Sequence, residues 1–155
     1  SIWQKNMILR RELVPVEQWE ENEQKKGYLK GYITLKRKEK RTLEQIQQLR
    51  LDKMFPCVQN DDMPHAHNNS DLSDYIVRLD ELMDRLKNER IESINKQVEI
   101  RDAILRVEND EEQEVLERHY ILGQSWTKIC DEMPNYSRRA ILYIHGRALK
   151  NFKIP

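Results

Sequence analysis

The stretch GQSWTKICDEMPNYSRRAILYIHGRALK, residues 123–150, carries the most distinctive structural pattern in the chain. Ser125 is placed to cap a short helix over 126–133, and Ser137 is placed to cap a second helix over 138–152. A proline lies between the two helices, where it ends the first one. The pattern therefore predicts two helices joined by a tight turn, with a pair of arginines at the start of the second.

The two faces of these helices have different compositions. Apolar side chains at helical spacing predict an inward face, formed by Trp126, Ile129, Met133, Ile141, Ile144, Ala148 and Leu149. The outer surface of the second helix is predicted to carry Arg138, Arg139, Leu142, Tyr143, His145 and Arg147. This arrangement is typical of a helix-turn-helix, whose second helix presents its N-terminal residues to base edges in the major groove of DNA. Arginine can donate two hydrogen bonds to guanine, and the positive end of the helix dipole favours a phosphate near Ser137.

Two longer helical patterns precede this segment. Apolar residues recur at spacings of three, four or seven over about 28–54, whereas 55–71 contains two prolines and no periodicity, as in a linker. Over 72–107 an apolar stripe repeats every seven residues, as in a coiled coil. Its positions are Leu72, Leu79, Leu86, Ser93, Ile100 and Val107, with Ile76, Met83 and Ile104 offset by four. We expect the first helix to fold back along the second and to leave part of this stripe for another subunit.

The predicted fold is therefore all-α, with a long helical hairpin or coiled coil followed by a C-terminal helix-turn-helix. Residues 1–27 form an N-terminal arm that is either loosely held or helical from Val16 onward, since Pro15 interrupts any longer helix. Residues 28–107 form the hairpin, including its linker, and 108–155 form the DNA-binding domain. Asn109-Asp110 caps a helix over 110–122, which ends at Gly123.

Charge is segregated along the chain although the formal net charge is zero. Residues 28–53 hold eight Lys or Arg against three acids, and 137–155 hold five and no acid. Residues 108–117 carry six acids and no base. This pattern indicates that any nucleic-acid contact lies at the basic regions. The basic block Lys36–Arg41 is interpreted as a solvated helix face, with phosphate contact as the alternative.

Several classes of protein are disfavoured. No apolar run approaches the ~20 residues of a membrane span, and two cysteines make no disulfide framework, so we expect a location in the cytoplasm. No phosphate-cradling glycine loop and no pair of carboxylates suited to acid–base work is evident, which predicts a non-enzyme without catalytic residues or cofactors. Cys57, His65 and His67 suggest a metal site, but structural zinc takes four ligands, so we predict no metal.

The C-terminal region resembles the fourth region of sigma factors, which reads the promoter −35 element. More closely, it resembles phage transcription regulators of the ArpU/RinA type, in which a sigma-like helix-turn-helix follows a long helical half. The matching motifs are YILG at 120–123, SW at 125–126, Ile129, YSRR at 136–139 and HGRAL at 145–149. YLKGY at 28–32 also fits. These relatives usually have one glycine in the turn, where this chain has Pro134-Asn135; asparagine tolerates the left-handed conformation that such a turn can require.

The resemblance implies a bacterial host cell and double-stranded DNA as the partner, with RNA polymerase as a further partner. It implies that Arg138, Arg139, Leu142 and Tyr143 face the groove, and that Ser137, Arg147 and Lys150 lie near phosphates. The leading hypothesis is a sequence-specific transcription regulator, encoded by a phage or prophage, that forms a homo-oligomer through its coiled coil. The alternative is a coiled-coil structural or adaptor protein whose C-terminal module binds protein, for example RNA polymerase.

Overall fold

The structure is a computed structural model that describes residues 15–54 and 69–155, without the side chains of Asn69 and Ser70. All regular elements in these ranges are helical. In chain order they are α1 (Val16–Leu29), α2 (Gly31–Met54), α3 (Asn69–Leu105), α4 (Asp110–Leu116), a π-helical turn (Glu117–Ile121), α5 (Trp126–Glu132) and α6 (Arg138–Asn151). None of these described helices combines the length and the apolar composition that crossing a membrane requires.

The chain divides into two compact units whose limits differ from the predicted boundaries. The head unit comprises residues up to Ile33 together with Lys96–Pro155, and the hairpin unit comprises Thr34–Asn95. The segment predicted as an arm therefore contributes to the same unit as the C-terminal helices. The physical reason is burial: Lys25, within the predicted arm, is buried, and Leu29 at the end of the same helix is fully buried in a core that also contains Phe152.

The head unit contains two apolar clusters. The larger one joins α1, the start of α2, the end of α3, the α4 region and the end of α6. Its buried residues are Leu29, Tyr32, Ile100, Ala103, Ile104, Val107, Leu116, Tyr120, Ala148, Leu149 and Phe152. The smaller one lies between α4, α5 and α6 and contains Val115, Ile129, Met133, Ile141 and Ile144. Half-buried Trp126, Cys130 and Tyr136 pack against the smaller cluster. The inward positions predicted for α5 and α6 are thus confirmed, with Trp126 only partly covered.

The predicted caps at Asn109, Ser125 and Ser137 are confirmed. Each side chain accepts a hydrogen bond from the backbone N–H three residues later, at 3.0–3.2 Å. Gly123 has a φ of 67°, a left-handed conformation that glycine adopts without steric cost. The helix expected over 110–122 is instead divided, because a π-helical turn follows α4; Leu122 N–H donates to the Glu117 carbonyl five residues back.

Two further predictions about helix limits are corrected. The helix expected from residue 28 is interrupted at Lys30, whose N–H donates to the Lys26 carbonyl and ends α1. The long helix begins at Asn69 rather than 72, so 69–71 belong to α3 instead of the linker. The rest of the predicted linker, 55–68, lies outside the described residues.

The seam of the hairpin unit is mostly polar. Among its described residues, the buried side chains are Glu39, Thr42, Ile46, Leu86, Glu89 and Ser93. The Glu39 carboxylate accepts hydrogen bonds from Arg90 Nε at 2.9 Å and Ser93 Oγ at 3.0 Å. The Thr42 hydroxyl donates to the Glu89 carboxylate, with its oxygen 2.9 and 3.0 Å from the two carboxylate oxygens. These cross-helix contacts pair α2 with α3 in one antiparallel register.

The two buried carboxylates of the seam have different partners. Burial raises the pKa of Glu39, but hydrogen bonds from Arg90, Ser93 and Lys36 outweigh it, so the pKa lies below its usual value. Within the described residues, the Thr42 hydroxyl is the donor that reaches Glu89. Among the described residues, the buried Glu89 carboxylate therefore has one hydrogen-bond donor, and that donor is uncharged.

Replacing Thr42 with Val should destabilise the protein, because the buried Glu89 carboxylate loses its donor while the side-chain shape is kept. An unsatisfied buried polar group costs about 1–3 kcal/mol. Urea unfolding followed by circular dichroism would measure the loss. Thr127→Val, the same exchange at an exposed helical position, is the control and should stay within about 0.5 kcal/mol. Equal stability of the two variants would contradict this account of the seam.

Candidate nucleic-acid interface

The first turn of α6 presents two arginines to solvent. Ser137 caps this turn by accepting a hydrogen bond from Ala140 N–H at 3.1 Å. Arg138 and Arg139 are both exposed, and within the described residues neither forms an ion pair. Cations near a helix N-terminus oppose the helix dipole by roughly 0.3–1 kcal/mol each. The two arginines therefore do not stabilise α6, and their charge is available to an anionic ligand.

Two larger side chains extend this face along the next turn of the helix. Leu142 is 42% exposed and Tyr143 is 67% exposed. They follow Arg138 and Arg139 by four residues each, so the four side chains lie on one side of α6. We call Arg138, Arg139, Leu142 and Tyr143 the α6 outer face. It combines hydrogen-bond donors, an apolar group and an aromatic ring, which together can contact base edges and thymine methyl groups.

The other predicted site residues are placed differently. The Nε of Arg147 lies 3.3 Å from Glu112 Oε1, and its guanidinium lies 5.6 Å from the centre of the Tyr143 ring. Arg147 is thus held within the head unit by a buried carboxylate, which also accepts hydrogen bonds from Asn151 Nδ2. Lys150 is exposed in the last turn of α6, at the opposite end from Ser137.

The turn between α5 and α6 is fixed by side-chain contacts. Tyr136 packs against the smaller apolar cluster, and its hydroxyl donates to the Glu111 carboxylate. The Tyr136 N–H also donates to the Met133 carbonyl at 3.1 Å. Within the described residues no non-glycine residue has a positive φ, so Asn135 is not left-handed. The additional residue of Pro134-Asn135 is accommodated without the conformation that the sequence suggested.

His145 is a correction to the predicted outer surface. It is only 8% exposed, and its Nε2 is hydrogen-bonded to the Tyr120 hydroxyl at 2.9 Å. His119 stacks on Trp126 with ring centres 4.0 Å apart, and its Nδ1 donates to the Gln124 carbonyl. The four rings form an aromatic cluster beneath α6, since the Trp126 ring also lies 4.7 Å from His145. His145 is therefore buried and His119 is partly buried.

Burial governs the ionisation of these histidines. It lowers the pKa of His145 to about 4, with His119 and the nearby Lys26 and Lys30 acting in the same direction. Burial also lowers the pKa of His119, although the hydrogen bond to Gln124 works against this. The aromatic cluster is therefore uncharged at neutral pH, and α6 packs against neutral rings.

Lys25 on α1 holds the far end of α6. Lys25 is only 5% exposed. Its Nζ donates to the carbonyl oxygens of Leu149 at 2.9 Å and Lys150 at 3.4 Å. Glu21 pairs with the same ammonium at 2.9 Å. Carbonyls in the last turn of a helix lack partners within the helix, and a cation there complements the dipole. Sequence reasoning missed this contact, although the spacing of Lys25, Leu29 and Tyr32 places Lys25 on the apolar side.

Within residues 15–54 and 69–155, no group of three or more His, Cys, Asp or Glu side chains could hold a metal ion. Cys57, His65 and His67, for which the sequence predicts no metal site, lie outside the described residues.

The family model for "Protein of unknown function (DUF1492)" matches residues 60–153, which is more than half of the chain. The chain belongs to the DUF1492 family. No curated protein and no solved structure matches it. The matched range includes α3, the caps and the α6 outer face of this DUF1492 protein, but it leaves out α1 and α2. Lys25, which supports the end of α6, therefore lies outside the range that defines the family.

Replacing Lys25 with Met in this DUF1492 protein should lower the free energy of unfolding by about 1–3 kcal/mol, because charged hydrogen bonds to the end of α6 are lost. The neighbouring Lys26, whose ion-pair partner among the described residues is Glu23 and which is a third exposed, is the matched control. Lys26→Met should cost less than about 1 kcal/mol. Chemical denaturation of both variants would test this, and similar losses would exclude a special role for Lys25.

Acidification should destabilise the protein through His145. Its pKa is near 6.5 in the unfolded chain and about 4 in the folded one, so the unfolded state binds the proton first. Stability is then fully present above pH 6.5 and falls as the pH drops to about 4, by about 3 kcal/mol. Carboxylates such as Glu39 add to the loss, so the comparison is with His145→Gln, which cannot titrate. Urea unfolding at pH 7.5, 5.5 and 4.5 should show a smaller decline in the variant; parallel declines would rule out this origin.

Proposed function

We propose that this protein is a sequence-specific regulator of transcription that binds double-stranded DNA through a sigma-region-four-like helix-turn-helix. In this proposal α5 positions the recognition helix α6, whose first turns enter the major groove. The observation that carries it is that Arg138 and Arg139 are exposed in a capped first turn and form no ion pair with any residue the structure describes. The resemblance to phage regulators of the ArpU/RinA type supports a phage or prophage origin and a bacterial cytoplasm as the place of action.

The chemistry of the α6 outer face favours duplex DNA over other anions. Arginine can contact the N7 and O6 acceptors of guanine with two parallel hydrogen bonds, and Leu142 can contact a thymine methyl group. The exposed Tyr143 can stack through its ring or donate a hydrogen bond from its hydroxyl. Ser137, at the positive end of α6, and Lys150 would lie near phosphates. Arg147 would join them only by leaving Glu112, so its contribution to DNA binding is expected to be smaller.

The energetics of recognition favour more than one copy. Each bidentate arginine contact is worth about 1–3 kcal/mol of discrimination, so two arginines supply roughly 2–6 kcal/mol. Specific sites are typically favoured over non-specific DNA by about 4–10 kcal/mol. Two half-sites read by a symmetric pair would supply this amount, as in other helix-turn-helix proteins. We therefore propose a homo-oligomer.

The hairpin unit supports a role in assembly and also a second candidate function. Its exposed apolar side chains outnumber its buried ones among the described residues; they are Leu43, Leu51, Met54, Leu72, Ile76, Val77, Met83, Ile91 and Ile94. Exposed apolar surface of this kind marks protein–protein contacts. It favours pairing through the coiled coil, and it equally suits a structural or adaptor protein whose C-terminal module binds a protein such as RNA polymerase.

Selection of bound fragments from a random DNA pool separates the two candidates. Enrichment of one motif by the full chain would support the regulator, and Arg138→Ala or Arg139→Ala should then weaken binding to that motif by about 1–3 kcal/mol each. Arg101→Ala, which removes an exposed cation elsewhere in the head unit, is the matched control and should have a much smaller effect. Failure to enrich any motif, or normal binding by both arginine variants, would favour the adaptor.

A further inference from the structure

The hairpin unit carries a second cationic surface, separate from the α6 outer face. Residues 36–41 of α2 have the sequence KRKEKR, which places five cations in six positions. The one acid among them, Glu39, is buried in the seam and accepts a hydrogen bond from Arg90. Lys36 also forms an ion pair with Glu39, with its Nζ 3.3 Å from Glu39 Oε2. The other four cations, Arg37, Lys38, Lys40 and Arg41, therefore have no acidic partner within residues 36–41.

The rotation of α2 is set by its buried polar contacts. Glu39 and Thr42 point into the seam, where they meet Ser93 and Glu89 of α3. At about 100° per residue, Arg37, Lys40 and Arg41 then lie roughly opposite this seam, within one turn of each other. All three are exposed. The polar seam therefore holds these three side chains outward; we call them the α2 cationic face.

The charge on this face is not neutralised by the protein. Within the described residues, none of the three side chains forms an ion pair. Glu44 lies one turn further along the same side, but it makes no ion pair with Lys40 or Arg41. Like charges three and four residues apart repel each other in an isolated helix. The cluster thus opposes helix stability, and a polyanion would relieve this repulsion.

We propose that the α2 cationic face contacts the phosphate backbone of duplex DNA, independently of base sequence, and so increases the affinity of the site read by α6. This proposal rests on the proposed function. It adds a surface from outside the DUF1492 match, since α2 ends before residue 60. Lysine and arginine contacts to phosphate supply sequence-independent, salt-dependent affinity, whereas base contacts supply specificity.

The environment of the face favours DNA over a lipid surface. A helix that lies on a membrane must bury an apolar face among the lipids. The side of α2 opposite the cations is already covered, because Glu39, Thr42 and Ile46 are buried in the hairpin seam. The residues that continue the cationic side are Glu44, Gln47 and Gln48, which are polar and exposed. A rigid, charged and hydrated surface of this kind matches a phosphate backbone.

The salt dependence of binding tests the proposal. The full chain with Arg37→Gln, Lys40→Gln and Arg41→Gln is compared with wild type by fluorescence anisotropy on a duplex carrying the selected motif with flanking DNA. Each lost phosphate contact makes the slope of log K against log salt shallower by about 0.9. Three contacts change the slope by about 2.7, so between 50 and 200 mM salt the variant should lose roughly 40-fold less affinity than wild type. The preference for the motif over scrambled duplex should be unchanged.

A matched variant controls for net charge. Arg78→Gln, Arg85→Gln and Lys87→Gln remove the same three charges from exposed positions of α3 in the hairpin unit, where Asp80, Glu81 and Asp84 alternate with them. This control should keep a slope within about 1 of wild type. Circular dichroism should be the same for all three proteins, because every replaced side chain is exposed. The urea midpoint of the α2 variant should be equal to or slightly above that of wild type, because the repulsion among its cations is removed.

The possible outcomes separate this proposal from the proposed function. If no motif is enriched but the protein binds non-specific duplex, the regulator proposal fails, and the same salt series on that duplex still tests the α2 cationic face. An unchanged slope in the α2 variant, or equal changes in both triple variants, overturns the phosphate-contact proposal alone. Absence of binding to any duplex overturns both. Wild-type DNA binding combined with loss of an RNA polymerase contact in the α2 variant would reassign the face to an acidic protein.

Discussion

The ammonium group of Lys25 reaches the carbonyl oxygens of Leu149 and Lys150 at the end of α6, although more than a hundred residues separate them in sequence. At the other end of the same helix, the Ser137 hydroxyl accepts a hydrogen bond from the free N–H of Ala140. Between these two points, Ile141, Ile144 and Leu149 are buried. α6 is therefore fixed at both ends and along one side, so its opposite side must face solvent. The exposure of Arg138 and Arg139 is a consequence of this constraint.

Local chemistry explains what could be predicted from the sequence. Ser125, Ser137 and Asn109 have side chains that compete for free backbone N–H groups, and this preference depends little on the rest of the fold. The apolar spacing in α5 and α6 likewise fixes which residues face inward, because helix geometry repeats every 3.6 residues. The all-helical fold and the exposure of the α6 outer face follow from these two rules.

Long-range contacts explain what could not be predicted. The π-helical turn inserts one additional residue into the helical hydrogen-bond pattern, and its position does not follow from amino-acid composition. This turn contains Tyr120, whose hydroxyl is hydrogen-bonded to His145. α1 has a high proportion of charged residues, so its burial depends on Leu29 and Lys25 meeting residues near the other end of the chain. His145 is different, because its position four residues from both Ile141 and Leu149 already indicated an interior site.

The interleaving of buried and exposed residues in α2 has a consequence for sequence variation. Within residues 37–42, about one and a half helical turns, the buried Glu39 and Thr42 alternate with the exposed Arg37, Lys40 and Arg41. An insertion or deletion of one residue there would turn part of the helix by about 100° and carry a cation into the seam. Length changes should consequently be excluded from this turn, whereas exchange of Lys for Arg at the outer positions should be tolerated.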